Sequence, residues 1–159
     1  MMMTITFVPM EETDFNSYLK ISLGEYAYEH VKAGNWTEEE ALQKAEEQFK
    51  ELLPEGLETE NHYFFSLYDH ELGNVGILWL NITEDNHGKK GFIFDIKIDE
   101  QHQGSGLGKG AMYTLDEYCL KEGIKQMRLH VFAHNQRAVA LYEKMGFMMT
   151  DYMMSKIYE

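Results

Sequence analysis

The chain has 159 residues, of which 44% are hydrophobic and 13% aromatic, and it carries a formal net charge of −13 with one cysteine. This apolar content excludes a disordered chain and predicts one domain over residues 1–159 with its own core. The acidity disfavours nucleic acid and anionic membranes as partners, while the lone cysteine and the lack of an 18-residue apolar run favour a cytoplasmic protein.

The negative charge is concentrated in the first part of the sequence. Residues 1–60 contain 14 acidic side chains and 4 lysines, whereas residues 61–159 contain 13 acidic and 10 basic side chains. Such an excess favours cationic partners, although charged runs on amphipathic helices also serve solubility alone. The glutamates concerned include Glu25, Glu29, Glu38, Glu39 and Glu40.

The N-terminal part predicts a strand followed by two helices. Alternating apolar residues from Thr4 to Val8 indicate the strand. The next apolar stripe has helical spacing and ends at Gly34-Asn35. Thr37 and Glu40 then form a capping box, which starts a second helix that Pro54 ends.

The remainder predicts a β-meander and then alternating helices and strands. Strands are expected at His62–Asp69, Val75–Ile82, Gly91–Asp99, Met127–Phe132 and Met148–Ile157. Helices are expected over the apolar stripe from Leu107 to Cys119, ended at Glu122-Gly123, and from Gln136 to Met145. The predicted order is therefore β-α-α-β-β-β-α-β-α-β, a mixed α/β (α+β) sheet without repeats or linkers.

A glycine-rich turn follows the strand that contains Ile93 and opens the next helix, in the sequence IFDIKIDEQHQGSGLGKG. Glycines there allow positive φ angles, and a helix start leaves N–H groups unpaired, so the turn predicts an anion site suited to a pyrophosphate. A dinucleotide fingerprint would need glycine at Lys109. A Walker loop would need glycine at Gln103 and a hydroxyl at Gly110, so both are excluded.

The spacing that remains is Gln103-x-x-Gly106-x-Gly108, and a second block, MRLHVFAHNQRAVALYEKMGF, follows it. Together they resemble the coenzyme A loop and the next strand-helix segment of the GNAT superfamily, the GCN5-related N-acetyltransferases. The matching features of the second block are an asparagine after the strand, a tyrosine on the helix and a closing Gly-Phe pair. They are Asn135, Tyr142 and Gly146-Phe147.

This resemblance implies a sheet splayed between strands four and five and an acetyl transfer from acetyl-coenzyme A to a primary amine by direct attack. In the family, backbone groups at Ile96 and Ile98 pair with the pantetheine arm, Asn135 contacts it, and Tyr142 protonates the leaving thiolate. Pyrophosphate contacts are implied for Gln103, Gly104, Ser105, Gly106, Leu107, Gly108 and Lys109. The acceptor is expected to be a cationic small molecule or a peptide N-terminus, and the protein a monomer or homodimer.

Several residues have an alternative interpretation. The general base is expected to be His130, where ribosomal-protein N-terminal acetyltransferases carry a glutamate, with Asp95 or bulk water as alternatives. From the pattern alone, Tyr142 also fits a core position, Lys109 a solvated first-turn lysine, and Asn135 a helix N-cap that can coexist with cofactor contact.

No metal site is expected, because the seven histidines are scattered and the acyl chemistry needs no metal. Cys119 lies on an apolar stripe and is interpreted as a core residue, which favours direct transfer over a covalent enzyme intermediate. His102 and His134 are interpreted as turn residues. Two rival functions are a non-catalytic acyl-coenzyme A sensor, disfavoured by Tyr142 and Asn135, and a nucleotide-binding module, disfavoured by the loop spacing.

Overall fold

The computed structural model describes residues 5–159 and contains five strands and four α-helices in that range. In chain order they are β1 (Ile5–Pro9), α1 (Glu12–Lys32), α2 (Glu38–Leu52), β2 (His62–Asp69), β3 (Gly73–Asp85), β4 (Gly88–Ile98), α3 (Leu107–Glu122), β5 (Ile124–Leu129) and α4 (Gln136–Lys144). This order confirms the predicted mixed α/β fold up to α4. Thr4, where the first strand was predicted to start, lies outside the described residues.

The five strands form one sheet in the order β1-β2-β3-β4-β5. Neighbouring strands from β1 to β4 are antiparallel, which confirms the predicted meander, whereas β4 and β5 are parallel. Parallel neighbours need a crossover connection, and α3 provides it between β4 and β5.

Each face of the sheet packs against its own helices. On one face, Leu78 and Leu80 of β3 pack with Leu107 and Leu115 of α3 in a fully buried cluster. On the other face, Phe64 and Trp79 contact aromatic residues of α1 and α2, among them Phe15 and Phe49. This second, aromatic cluster forms the base on which the acceptor side of the site is built.

Strand β4 contains one extra residue that reverses its side-chain alternation. Trp79 pairs with Asp95 and Leu80 pairs with Ile93, so Phe94 has no partner on β3. Regular alternation would put Asp95 on the face of Ile93. The bulge instead places it with Phe94 on the face covered by α1 and α2.

Strands β4 and β5 separate part-way along their length. Their pairing runs from Lys89–Ile124 to Ile93–Leu129, after which β4 continues to Ile98 while β5 ends. The predicted splay between the fourth and fifth strands is therefore confirmed. The fifth strand was predicted to reach Phe132, which was wrong, because the chain leaves the sheet at this splay.

The predicted final strand over Met148–Ile157 is wrong. This segment has neither helix nor strand, and its apolar side chains are exposed, Met153 at 96%. Its apolar residues come in adjacent pairs, Met148-Met149 and Met153-Met154, instead of alternating. No single face of a strand would therefore bury them together.

Candidate active site

The glycine loop before α3 adopts the conformation that its composition predicts. Gly104 and Gly106 have φ angles of +83° and +86°, and a Cβ atom built at either position meets nothing within 4 Å. Both glycines therefore face open space with left-handed backbone. Gly108 differs, because it lies in α3 and its Cβ position would be 3.6 Å from Leu141 Cδ2.

Side chains within the loop hold its backbone in place. The Gln103 side-chain amide donates to the carbonyl of Ile98 at 2.9 Å, and the Ser105 hydroxyl donates to the carbonyl of His102 at 2.8 Å. Leu107 is buried in the core, so only its backbone faces the loop. The predicted phosphate contacts from Ser105 and Leu107 can therefore come only from backbone amides, as an N–H cradle requires.

A groove of about 500 Å³ opens in front of this loop, and we call it the donor groove. Apart from the Tyr142 phenol, the ionisable side chains that line it are all basic, with no carboxylate among the described lining residues. They are Lys97, His102, Lys109, Arg137 and Lys144. This charge suits a polyanionic ligand.

Three of these basic residues were missed in the sequence, namely Lys97, Arg137 and Lys144. Arg137 and Lys144 are seven positions apart on α4, which puts them on one face of the helix that also carries Tyr142. Their spacing was a usable signal. Lys109 lines the groove, with its ammonium 5.8 Å from the centre of the Tyr113 ring.

A second cleft of about 800 Å³ lies between the splayed strands and α1, and we call it the acceptor cleft. Aromatic side chains line much of it, and its carboxylates are Glu25, Glu29 and Asp95. It is therefore apolar and acidic, in contrast to the basic donor groove.

The two cavities meet, and Tyr142 lies at the junction. The residues that line both are Ile96, Lys97, Asn135, Ala138 and Tyr142. Burial, and then the charge of Asp95, raise the pKa of Tyr142 to about 12. The phenol is thus protonated at neutral pH and can donate a proton to a group between the two cavities.

Asp95 is held in the acceptor cleft by Tyr18 of α1. The Tyr18 hydroxyl donates to Asp95 Oδ2 at 2.6 Å and lies 3.4 Å from the Ser22 hydroxyl. Burial raises the pKa of Asp95, while the Tyr18 hydrogen bond opposes that rise. Nothing in the sequence near Tyr18 indicated this partner, which is 77 positions away.

His130 also lines the acceptor cleft, just beyond the end of β5. Its ring packs edge-on against Phe132 with 4.9 Å between ring centres. Burial lowers the pKa of the neighbouring His30, and the charge of His130 adds to that effect. His134 is more than a turn residue, because its ring is hydrogen-bonded to the carboxylate of Glu29 on α1.

For Asn135 the sequence left open a role as helix N-cap and a role in contacting the cofactor. Its side-chain oxygen accepts a hydrogen bond from the Ala138 amide at 3.3 Å, which makes it the N-cap of α4. It also lines both cavities. The capping bond fixes where α4 begins and thereby helps to set the position of Tyr142 two turns later.

The model of the acetyltransferase (GNAT) family matches residues 26–147 of the sequence, a range that includes the glycine loop, β5 and Tyr142. The chain belongs to the GNAT family. It is 43% identical to the uncharacterized N-acetyltransferase YycN of Bacillus subtilis, over 97% of this chain and 99% of YycN. It is 36% identical to the B. subtilis N-acetyltransferase YdgE, also uncharacterized, over 97% of this chain and 98% of YdgE.

A crystal structure of YycN has the same fold as this GNAT chain. The two superpose with a TM-score of 0.94 and 42% identity, over 98% of this chain and 99% of YycN. The predicted membership of the superfamily is thus confirmed, and the chain is an N-acetyltransferase.

The remaining features of this GNAT chain concern metals, thiols and membranes. Within residues 5–159, no three His, Cys, Asp or Glu side chains are grouped so that they would hold a metal ion. Burial raises the pKa of the half-buried Cys119 thiol to about 11, which disfavours the nucleophilic thiolate. None of the helices in the described part of the chain combines the length and apolarity needed to cross a membrane.

Proposed function

We propose that residues 1–159 act as one acetyl-coenzyme A dependent domain that acetylates a primary amine by direct attack. The observation that carries this proposal is the junction at Tyr142, where a basic groove meets an acidic, aromatic cleft. Two reactants of opposite charge entering from the two sides would bring their reacting groups together beside one phenol. Such positioning is a major source of rate acceleration for a bimolecular transfer.

The donor groove fits the expected cofactor. Open space beside Gly104 and Gly106 leaves room for a pyrophosphate against the amides of Gln103–Lys109, and Lys109, Arg137 and Lys144 add positive charge. Among residues 5–159, the edge of β4 that faces the splay has no strand partner beyond Ile93. The backbone of Ile96 and Ile98 would pair there with the pantetheine arm beside Asn135, and the bound cofactor would supply an activated thioester carbonyl.

Tyr142 at the junction and a base in the acceptor cleft move protons in this proposal. The amine nitrogen bonds to the carbonyl carbon, the carbon–sulfur bond breaks, and Tyr142 gives its proton to the departing sulfur. The proton lost by the amine goes to His130, with Asp95 or water as the alternative acceptors. The side chains of His130 and Asp95 both line the cleft that the amine would enter.

We propose a cationic small molecule or a peptide N-terminus as the acceptor, because the acceptor cleft is lined by Glu25, Glu29 and Asp95. The net charge of −13 makes nucleic acid and anionic membranes unsuitable partners. We place the reaction in the cytoplasm and expect a monomer or homodimer.

Release of free thiol from acetyl-coenzyme A, measured with a panel of amines, tests the proposal. We expect thiol release that depends on the amine and yields one acetylated product per thiol. Tight binding of acetyl-coenzyme A without turnover on any amine would instead support a non-catalytic sensor. Preference for ATP over coenzyme A in thermal stabilisation would support a nucleotide-binding module.

A further inference from the structure

The acidic side chains expected to attract a cationic acceptor do not all reach the acceptor cleft. Glu38, Glu39 and Glu40 lie in the first turn of α2 and do not line it, and Glu40 is paired with Lys44 at 2.9 Å. Only Glu25 and Glu29 of that set line the cleft. Most of the acidic excess of these helices therefore lies away from a bound acceptor.

Both of these glutamates already have partners within the chain. Glu25 is ion-paired with Lys97 of β4, and Glu29 is hydrogen-bonded to His134 beyond β5. Among the carboxylates of residues 5–159 that line the cleft, Asp95 is the one whose bonded side chain, the Tyr18 hydroxyl, cannot carry a positive charge. Asp95 is thus the carboxylate left to pair with a ligand ammonium, and its charge raises the pKa of Tyr142 at the junction.

Aromatic side chains supply much of the remaining surface of the acceptor cleft. Phe94 stacks on Trp79 with 4.8 Å between ring centres, and Phe92 packs against Phe94 at 4.9 Å. On the opposite side, Phe132 packs edge-on against His30 at 5.2 Å. These rings line the cleft together with Asp95. An apolar group buries carbon surface against them, whereas a second ammonium would lose its water for ring faces that only partly replace it.

We propose that the acceptor carries a single primary amine, which binds at Asp95 beside Tyr142, attached to an apolar or aromatic body that lies on these rings. This inference rests on the proposed function and narrows its acceptor from cationic amines in general to apolar monoamines. A free alkylamine or arylalkylamine and a peptide whose first residue is apolar share this chemistry. A polyamine or an aminoglycoside does not, because its further ammonium groups would meet aromatic rings and carboxylates that are already paired.

A matched pair of amines tests the proposal. n-Hexylamine and 1,5-diaminopentane have the same number of heavy atoms and differ in whether the far end is a methyl or an ammonium group. We expect kcat/KM for n-hexylamine, with acetyl-coenzyme A as donor, to be higher by tenfold or more. Equal values, or a preference for the diamine or for spermidine, would overturn the inference while leaving the N-acetyltransferase proposal intact. Absence of turnover with every amine would overturn both.

Variants of the ring surface give a second test. Phe132→Ala should lower kcat/KM for n-hexylamine about tenfold and change that for methylamine little, because methylamine does not reach the rings. Glu38→Gln, on the part of α2 outside the cleft, is the control and should leave both unchanged. An equal loss for both amines in Phe132→Ala would assign the ring to folding and overturn its role. Comparing kcat/KM for 2-phenylethylamine with that for a peptide that begins with phenylalanine distinguishes a free amine from a peptide N-terminus as the acceptor.

Discussion

Asp95 reaches the acceptor cleft because of one extra residue in β4, and its only hydrogen-bonded side-chain partner within residues 5–159 is Tyr18. If Asp95 is the base, Tyr18→Phe removes a hydrogen bond that lowers its pKa, so that pKa should rise further. The acidic limb of the pH profile of kcat/KM should then move to higher pH. Tyr118→Phe, a half-buried tyrosine of α3 outside both cavities, is the control.

The pH dependence of kcat/KM in Tyr18→Phe also distinguishes His130 from Asp95 as the general base. If His130 takes the proton, Tyr18→Phe should leave the limb in place. His130→Ala should instead depress the rate most below mildly alkaline pH, with partial recovery at higher pH, where more of the amine is free. Unchanged profiles in both variants would leave bulk water as the proton acceptor.

Asp95 should also lower stability at neutral pH. Its folded pKa is raised by burial, so the folded protein binds this proton more tightly than the unfolded chain does, and stability falls as pH rises through the folded pKa. Asp95→Asn should therefore raise the free energy of unfolding at pH 8, and raise it less as the pH is lowered towards the ordinary aspartate pKa of 3.8, as measured by urea denaturation. A variant less stable than wild type at pH 8 would show that the charged Asp95–Tyr18 bond is net stabilising.

At the scale of elements, the glycine loop and the start of α3 form the part of the donor groove that depends most on backbone conformation. Gly106 is the N-cap of α3 and Gly123 its C-cap, both have left-handed backbone, and neither has any atom within 4 Å of a built Cβ. Alanine at either position should cost about 1 kcal/mol of stability. Only Gly106→Ala should also weaken coenzyme A binding in calorimetry, because only Gly106 lines the groove. Equal affinities in the two variants would contradict the phosphate cradle.

Elements could be predicted from the sequence where the pattern that indicates them lies within a short stretch of the chain. The glycine loop, the α3 stripe and the Asn135 to Phe147 block each carry their signal within a few turns, and the structure has the loop and both helices where these patterns put them. The position of Asp95 could not be predicted, because a bulge reverses alternation and because Tyr18 is distant in sequence. The final strand was predicted from β-forming residues alone, without a partner against which to pair.

At the scale of the whole molecule, charge is separated between the two ends of the site. The donor groove is lined by basic residues, while the chain as a whole carries a net charge of −13. If this field steers a cationic amine, kcat/KM should fall steeply with added salt while kcat hardly changes, since screening acts on encounter. Steady-state rates at increasing sodium chloride concentration, with the cofactor saturating, measure this effect. A kcat/KM independent of salt would limit the acidic helices to a role in solubility.

The proposed function depends on the junction of the donor groove and the acceptor cleft. A substitution of Tyr142 tests whether proton transfer to the leaving thiolate takes place there. Thiol release should be compared between wild type and Tyr142→Phe with one amine, alongside coenzyme A affinity by calorimetry and with Tyr113→Phe, an exposed tyrosine of α3, as the control. We expect kcat to fall by about 10² or more in Tyr142→Phe, while cofactor affinity stays nearly unchanged. Wild-type turnover in that variant would contradict this proton transfer and make Tyr142 a packing residue.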